Sequence, residues 1–126
     1  MSVAALKIIS DSLQSLGINY EFGVWTSDAV YPYFVGEYQE TPPMNEDGMQ
    51  ETTFLLTGFS RGSWLQLEEA KEKIEAHFNK VGGKAVIADN GSAVAVFYSS
   101  SLVIPTGDAE LKKIQINLVV KEWSVN

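Results

Sequence analysis

Apolar positions along this chain recur at helical spacing, then at every second residue, and the two periods alternate once more before the end. Val3, Leu6, Ile9, Leu13 and Leu16 fall on one helical stripe, and Gly17 is placed to stop that helix. From Ile18 to Thr26 the period becomes two, with Ile18, Tyr20, Phe22 and Val24 set against Asn19, Glu21 and Trp25. That pattern predicts a strand interrupted near Gly23. Tyr31 to Tyr38 predicts a second strand, with Pro32 confined to its first residue or to a sheet edge because proline cannot donate to a ladder. Glu40 to Gln50 contains Pro42-Pro43 and Asp47-Gly48 and predicts an acidic loop. Glu51 to Ser60 predicts a third strand. Phe54, Leu55, Leu56 and Phe59 put apolar side chains on both its faces, the mark of a central strand covered on both sides.

The helical period then returns. Ser63 and Gln66 fit a capping box, in which each side chain satisfies a free backbone donor. Trp64, Leu67, Ala70, Ile74 and Phe78 make one stripe, Glu69 and Lys73 form an i,i+4 pair on the wet side, and Gly82-Gly83 is expected to end the helix. Lys84 to Ala88 and Ala93 to Tyr98 flank Asp89-Asn90-Gly91-Ser92, a strong hairpin signal. Leu111 to Trp123 alternates Ile114, Ile116, Leu118 and Val120 against Lys113, Gln115, Asn117 and Lys121, a long strand with one wet face. The expected fold is α+β, two helices packed on an antiparallel-rich mixed sheet in the order α-β-β-β-α-β-β-β.

Length and charge narrow the function classes. With 126 residues, the chain is expected to fold as a single domain spanning 1–126. No apolar run is long enough to span a bilayer, and the first residues lack the basic n-region of a signal peptide. Cysteine is absent, which removes disulfides, thiolate metal sites and cysteine nucleophiles. Between Ile8 and Ser60 there are eight carboxylates and no Lys or Arg, whereas from Arg61 onward acids and bases number eight each. With Lys7 this accounts for the net charge of −7 and hints at an acidic face. Such a face opposes the phosphate contacts that nucleic-acid binding needs.

Candidate chemistry is thin. His77 is the only histidine and sits beside the apolar stripe of the second helix, where a boundary residue outweighs a base or metal ligand. Gly58-Phe59-Ser60-Arg61-Gly62 lacks both the nucleophile-elbow spacing and the Gly-Lys-Ser/Thr of a phosphate loop. Arg61 reads as a turn residue or an intersubunit ion-pair partner. No D-x-D-x-D-G loop accompanies Glu40, Glu46, Asp47 and Glu51. Trp25 and Trp123 fall at strand ends, where a half-exposed indole marks a protein interface. Tyr31, Tyr33, Phe34 and Tyr38 crowd aromatic surface into ten residues, which needs a core or a partner to cover it. No cofactor and no enzymatic activity are expected.

The first helix to Leu16, the run Tyr31-Pro32-Tyr33-Phe34-Val35-Gly36-Glu37, the strand Phe54-Leu55-Leu56-Thr57-Gly58-Phe59 and the strand Ile114-Gln115-Ile116-Asn117-Leu118 carry a resemblance. In order and type they resemble the tail-completion or tail-terminator proteins of long-tailed bacteriophages. The resemblance implies a ring subunit, usually one of six, that caps the tail tube and joins it to the head. Its implied partners are copies of itself, the tail tube protein and a head connector or stopper protein, with DNA only in transit and no membrane. Its implied location is the virion tail or neck, after assembly in the host cytoplasm. Domains of this size, with a radius of gyration of roughly 14 Å, leave room for a duplex at the centre of such a ring. Tyr31, Tyr33, Tyr38, Trp25, Trp123 and Arg61 are the candidate subunit interface, with the aromatic strand and the long final strand as candidates for pairing across subunits. Glu40, Glu46, Asp47 and Glu51 are the candidate acidic lumen or loop. Another neck or minor tail protein, or a small α+β ligand-binding module, remains open as an alternative.

Overall fold

The pairing of two long strands organises everything around it in the computed structural model, which describes residues 1–28, 30–40, 49–79, 84–87 and 91–123. The elements are α1 (Val3–Ser15), β1 (Tyr20–Phe22), β2 (Tyr33–Glu40), β3 (Met49–Arg61), α2 (Trp64–His77), β4 (Lys84–Ile87), β5 (Ala93–Ile104) and β6 (Leu111–Trp123). They form an α+β fold in which the six strands lie in the lateral order β1-β2-β3-β6-β5-β4. The β1–β2 pair is parallel and every other pair is antiparallel.

Both helices pack on one face of this sheet. Ala5, Ile9 and Leu13 of α1 and Leu67, Ala70 and Ile74 of α2 meet Phe34, Phe54, Leu56, Val96, Ile114, Ile116, Leu118 and Val120 in a single buried cluster. Each fully buried large side chain there stabilises the fold by about 1.5–3 kcal/mol. Among the described residues no helix lies on the opposite face. β3 is central, as its composition predicts, but it is covered on one side only: Leu55 and Phe59 are half-buried on the helix-free face. β6 matches its predicted bounds and its predicted alternation.

Local chemistry fixes the ends of the elements. Gly17 adopts φ 75°, and the amides of Gly17 and Ile18 donate to the carbonyls of Gln14 and Leu13, closing α1 in a Schellman motif. At its start, Ser2 accepts from the Ala5 amide at 3.1 Å. The buried carboxylate of Glu122 in turn accepts from the Ser2 amide at 3.1 Å and from the Ser2 hydroxyl. That ties the start of α1 to the end of β6. Ser63 caps α2, its hydroxyl accepting from the Gln66 amide at 3.4 Å. The other half of the expected capping box is missing, because the Gln66 carbonyl accepts instead from the Ser60 hydroxyl at 2.9 Å.

Several predicted boundaries shift, each for a local reason. The first strand is three residues long rather than nine, because Gly23 turns at φ 86° and donates its amide to the Gly36 carbonyl. β2 begins at Tyr33, just after Pro32, and runs on to Glu40. α2 stops at His77, short of Gly82-Gly83, which lie outside the described residues; the Phe78 carbonyl accepts from the Tyr98 amide and draws the chain toward β5. Trp64 leaves the predicted stripe and overhangs the sheet beside Val103 and Ile104. The ion pair on α2 is Glu68–Lys71 rather than Glu69–Lys73. β5 continues six residues beyond Tyr98, past a register shift between Tyr98 and Ser100.

Gly36 and Gly58 make room for aromatic rings on the helix side. A Cβ on Gly58 would come within 2.3 Å of the Phe34 ring, and one on Gly36 within 2.5 Å of Phe54. Neither glycine has a positive φ, so ring space and not backbone freedom is the constraint. Gly58→Ala is expected to lower stability by about 1–3 kcal/mol through overpacking. Urea unfolding would show this as a lower midpoint at constant slope; an unchanged midpoint would mean that the Phe34 ring yields without cost.

Candidate assembly surface

Strand register brings the candidate aromatics together on the helix-free face. Tyr33 of β2 stands opposite Phe59 of β3, which stands opposite Lys113 of β6. Directly opposed side chains on one face lie close enough to touch, and here they do. The Tyr33 and Phe59 rings stack with centroids 5.1 Å apart, and the Lys113 ammonium lies 5.6 Å from the Phe59 centroid. From the segment after β1, Trp25 stacks on the other side of Tyr33 at 4.8 Å, its indole N–H donating to the Asp28 carbonyl at 3.2 Å. Tyr31 tilts against Tyr33 at 5.5 Å. Arg61 closes the rim: its guanidinium sits 5.9 Å from the Tyr31 ring centre, its Nε donates to the Tyr31 hydroxyl at 3.3 Å, and it pairs with Asp108 at 3.6 Å.

Four of the six predicted interface residues, Trp25, Tyr31, Tyr33 and Arg61, therefore form one surface. The other two do not join it. Tyr38 lies on the helix side of β2 and stacks on Phe22 at 6.0 Å. Trp123 is on the helix-free face but at its far end, in the row of Met49 and Ala93. Phe59 and Lys113 belong to the surface and were not anticipated. Their signal was the period-two phase of their strands, which sets Phe59 against Leu56 and Lys113 against Ile114.

Of the acidic candidates, the two described residues lie on opposite faces of the sheet. Glu40 lies on the helix side, where its carboxylate receives the Met1 ammonium, whereas Glu51 lies on the helix-free face opposite Lys121. Glu46 and Asp47 lie outside the described residues. Glu37 and Glu51 share the helix-free face with Arg61, Lys113 and Lys121, so that face is mixed in sign and not acidic. β6 is likewise excluded from pairing across subunits, because β3 and β5 occupy both its edges.

A small cleft lies between the end of α1 and α2, lined by Asn19, Phe34, Gln66, Glu69 and Lys73 and about 210 Å³ in volume. That is below the roughly 300–1,000 Å³ of ordinary ligand pockets, and the Asn19 amide is already committed to the Pro32 carbonyl at 3.1 Å. His77 packs edge-on against Phe78. Among the described residues no group of His, Asp and Glu is arranged to hold a metal ion, and no helix is long and apolar enough to cross a membrane.

Two phenols are shifted. Burial pushes Tyr20 up to about 12, and burial, reinforced by the neighbouring Tyr31, raises Tyr33 against the opposing pull of Arg61. Both phenols are easier to ionise in the unfolded chain than in the fold. The unfolded state thus holds fewer protons once pH passes the ordinary tyrosine value near 10, and stability falls from there upward. Thermal melting is expected to be insensitive to these groups below pH 10 and to decline between pH 10 and 12, with Tyr20→Phe flattening the decline. An unaltered slope in that variant would show that Tyr20 does not contribute. In comparison with known proteins, the chain matches no family model and no curated protein.

Proposed function

We propose that this chain is a structural subunit of a ring that completes the tail tube of a long-tailed phage and joins it to the head, with DNA passing through in transit. The observation that carries this reading is the helix-free sheet face, where Trp25, Tyr31, Tyr33 and Phe59 form a ring stack rimmed by Arg61 and Lys113. Such a surface has the composition of a protein interface: aromatics at the centre, with arginine and other polar groups around them. It offers no nucleophile paired with a base and no set of groups that could run acid–base chemistry. The strand that carries the family resemblance divides in the way a subunit contact requires. Phe34 and Gly36 face the helices, while Tyr33, Val35 and Glu37 face outward. The tail tube, a head connector or stopper and further copies of the chain are the partners of this reading, and the virion neck is its place.

Light scattering of the purified chain, alone and with the tail tubes of its own phage, tests it. A ring mass, or a monomer that joins the tube end as a ring, is expected; a monomer that joins neither tube nor head would overturn the reading. Tyr33→Asp is expected to abolish the ring while the melting transition stays cooperative, and Tyr33→Phe to retain it. Unfolding of Tyr33→Asp would place that ring in the fold's own packing and remove it from the interface.

A further inference from the structure

Each lateral end of the sheet stops part-way along a strand. At one end β1 covers β2 only from Phe34 to Gly36. At the other, β4 covers β5 only from Ala93 to Val96, and from Ser100 to Ile104 the outer edge of β5 has no strand beside it among the described residues. The registers put these two features at one height. Phe34 stands in a row with Gly58, Ile114 and Val103, and Gly36 in a row with Leu56, Ile116 and Ser101. The rows filled by Tyr20, Glu21 and Phe22 at one end are therefore the rows of Val103, Leu102 and Ser101 that lack a strand at the other.

We propose that β1 of one copy pairs antiparallel with the outer edge of β5 of the next, Tyr20 opposite Val103, Glu21 opposite Leu102 and Phe22 opposite Ser101, so that the sheet continues from copy to copy. The inference rests on the ring reading above and names its contact. Direction agrees: β1 runs parallel to β2, and three successive antiparallel pairings make β5 run opposite to both. Side-chain phase agrees as well, since Tyr20 and Val103 fall on the helix side and Glu21 and Leu102 on the helix-free side.

Both edges carry exposed apolar surface. Phe22 is 47% and Val24 66% exposed beside β1, while Leu102 is 48% and Val103 53% exposed on β5. Trp64 adds its half-exposed indole next to Val103. An edge left open is normally guarded by lysine, proline or an inward charge. From Ala93 to Ile104 there is no charged residue and no proline. The register shift at Ser99 and Pro105 bound the open stretch, leaving room for a short strand only. In a molecule of net charge −7, the strand that forms this edge adds no charge of its own to the contact. Two different edges in contact make a heterologous interface, which gives a ring where the rotation between copies closes.

Absence of cysteine makes the contact directly testable. Glu21→Cys and Leu102→Cys are prepared as full-length single variants and oxidised under conditions where light scattering shows rings, with tail tubes present if the rings need them. The expected result is a covalent dimer from the mixture and none from either variant alone, with the double variant giving a ladder that ends at the ring mass. Val103→Lys, which places a charge on the edge, is expected to shift the mass from ring to monomer with the melting temperature retained. Rings without the mixed cross-link, or cross-linking of Leu102→Cys to itself, would overturn the strand pairing and leave the ring reading standing. Monomers under every condition would overturn both.

Discussion

Thirteen consecutive residue pairs join β3 to β6, from Met49 opposite Trp123 to Arg61 opposite Leu111, without a bulge. Side chains alternate faces along a strand, so this one register decides the side to which every residue of both strands points. A slip of one residue would turn one strand over against the other, carrying Phe54 and Leu56 of β3, or Ile114 and Ile116 of β6, away from the helices. The unbroken pairing therefore holds the core and the open face in place together. Neither helix could find its apolar seat without it, and the row Tyr33–Phe59–Lys113 exists only because Phe59 and Lys113 are held opposite one another.

The open face is neither bare nor sealed. Its aromatic rings shelter one another, and lysines lay apolar stems and cationic heads across them, Lys113 over Phe59 and Lys121 over Phe97. That is why most residues of this face are half-buried even without a covering layer. Large apolar side chains with much of their surface in water lie at the lateral ends of the sheet, at Phe22, Val86, Ile87, Leu102 and Val103, and on the helices at Val3 and Leu65. The distribution favours association side by side along the sheet over association face to face. The ring stack then sits beside the joint, at the same height as the open edge, since Tyr33 shares its row with Ile104.

What the sequence revealed and what it hid divide along a physical line. Periodicity is local, so the β6 strand, the β3 strand and most of both helical stripes were legible from the spacing of apolar residues, with Val3 and Trp64 falling off them. The Ser63 cap and the Gly17 stop were legible because capping chemistry acts within four residues. Lateral order is not local. Nothing in Leu111–Trp123 announces that it inserts between β3 and β5, and so a strand that reads as available for partners is closed on both edges. Ser99-Ser100-Ser101 reads as a loop because serine has no strand preference, yet the pairing of Leu102 with Gln115 and of Val103 with Ile114 carries the strand through it. Trp64 has helical spacing but sits in the first turn with its indole half-exposed beside Val103 and Ile104. The aromatic surface was half visible: Tyr31 and Tyr33 declared themselves by density, Phe59 only by phase.

Charge shows the same division. Along the chain, carboxylates without a counter-charge fill the stretch from Ile8 to Ser60. In space that stretch supplies β1, β2 and β3, and β3 is laid against β6, which brings Lys113 and Lys121 from the balanced half of the sequence. Glu51 comes to stand opposite Lys121, and Glu40, two rows from Tyr38 on the other face, accepts the Met1 ammonium. Interleaving of this kind dilutes a one-sided sequence into a mixed surface. The densest carboxylates among the described residues then lie on α2, at Glu68, Glu69, Glu72 and Glu75, with Lys71 and Lys73 between them. The sign of a surface on this protein follows from strand pairing and not from order along the chain. Among the described residues, carboxylates gather on the helix layer because strand pairing has interleaved those of the sheet with lysines.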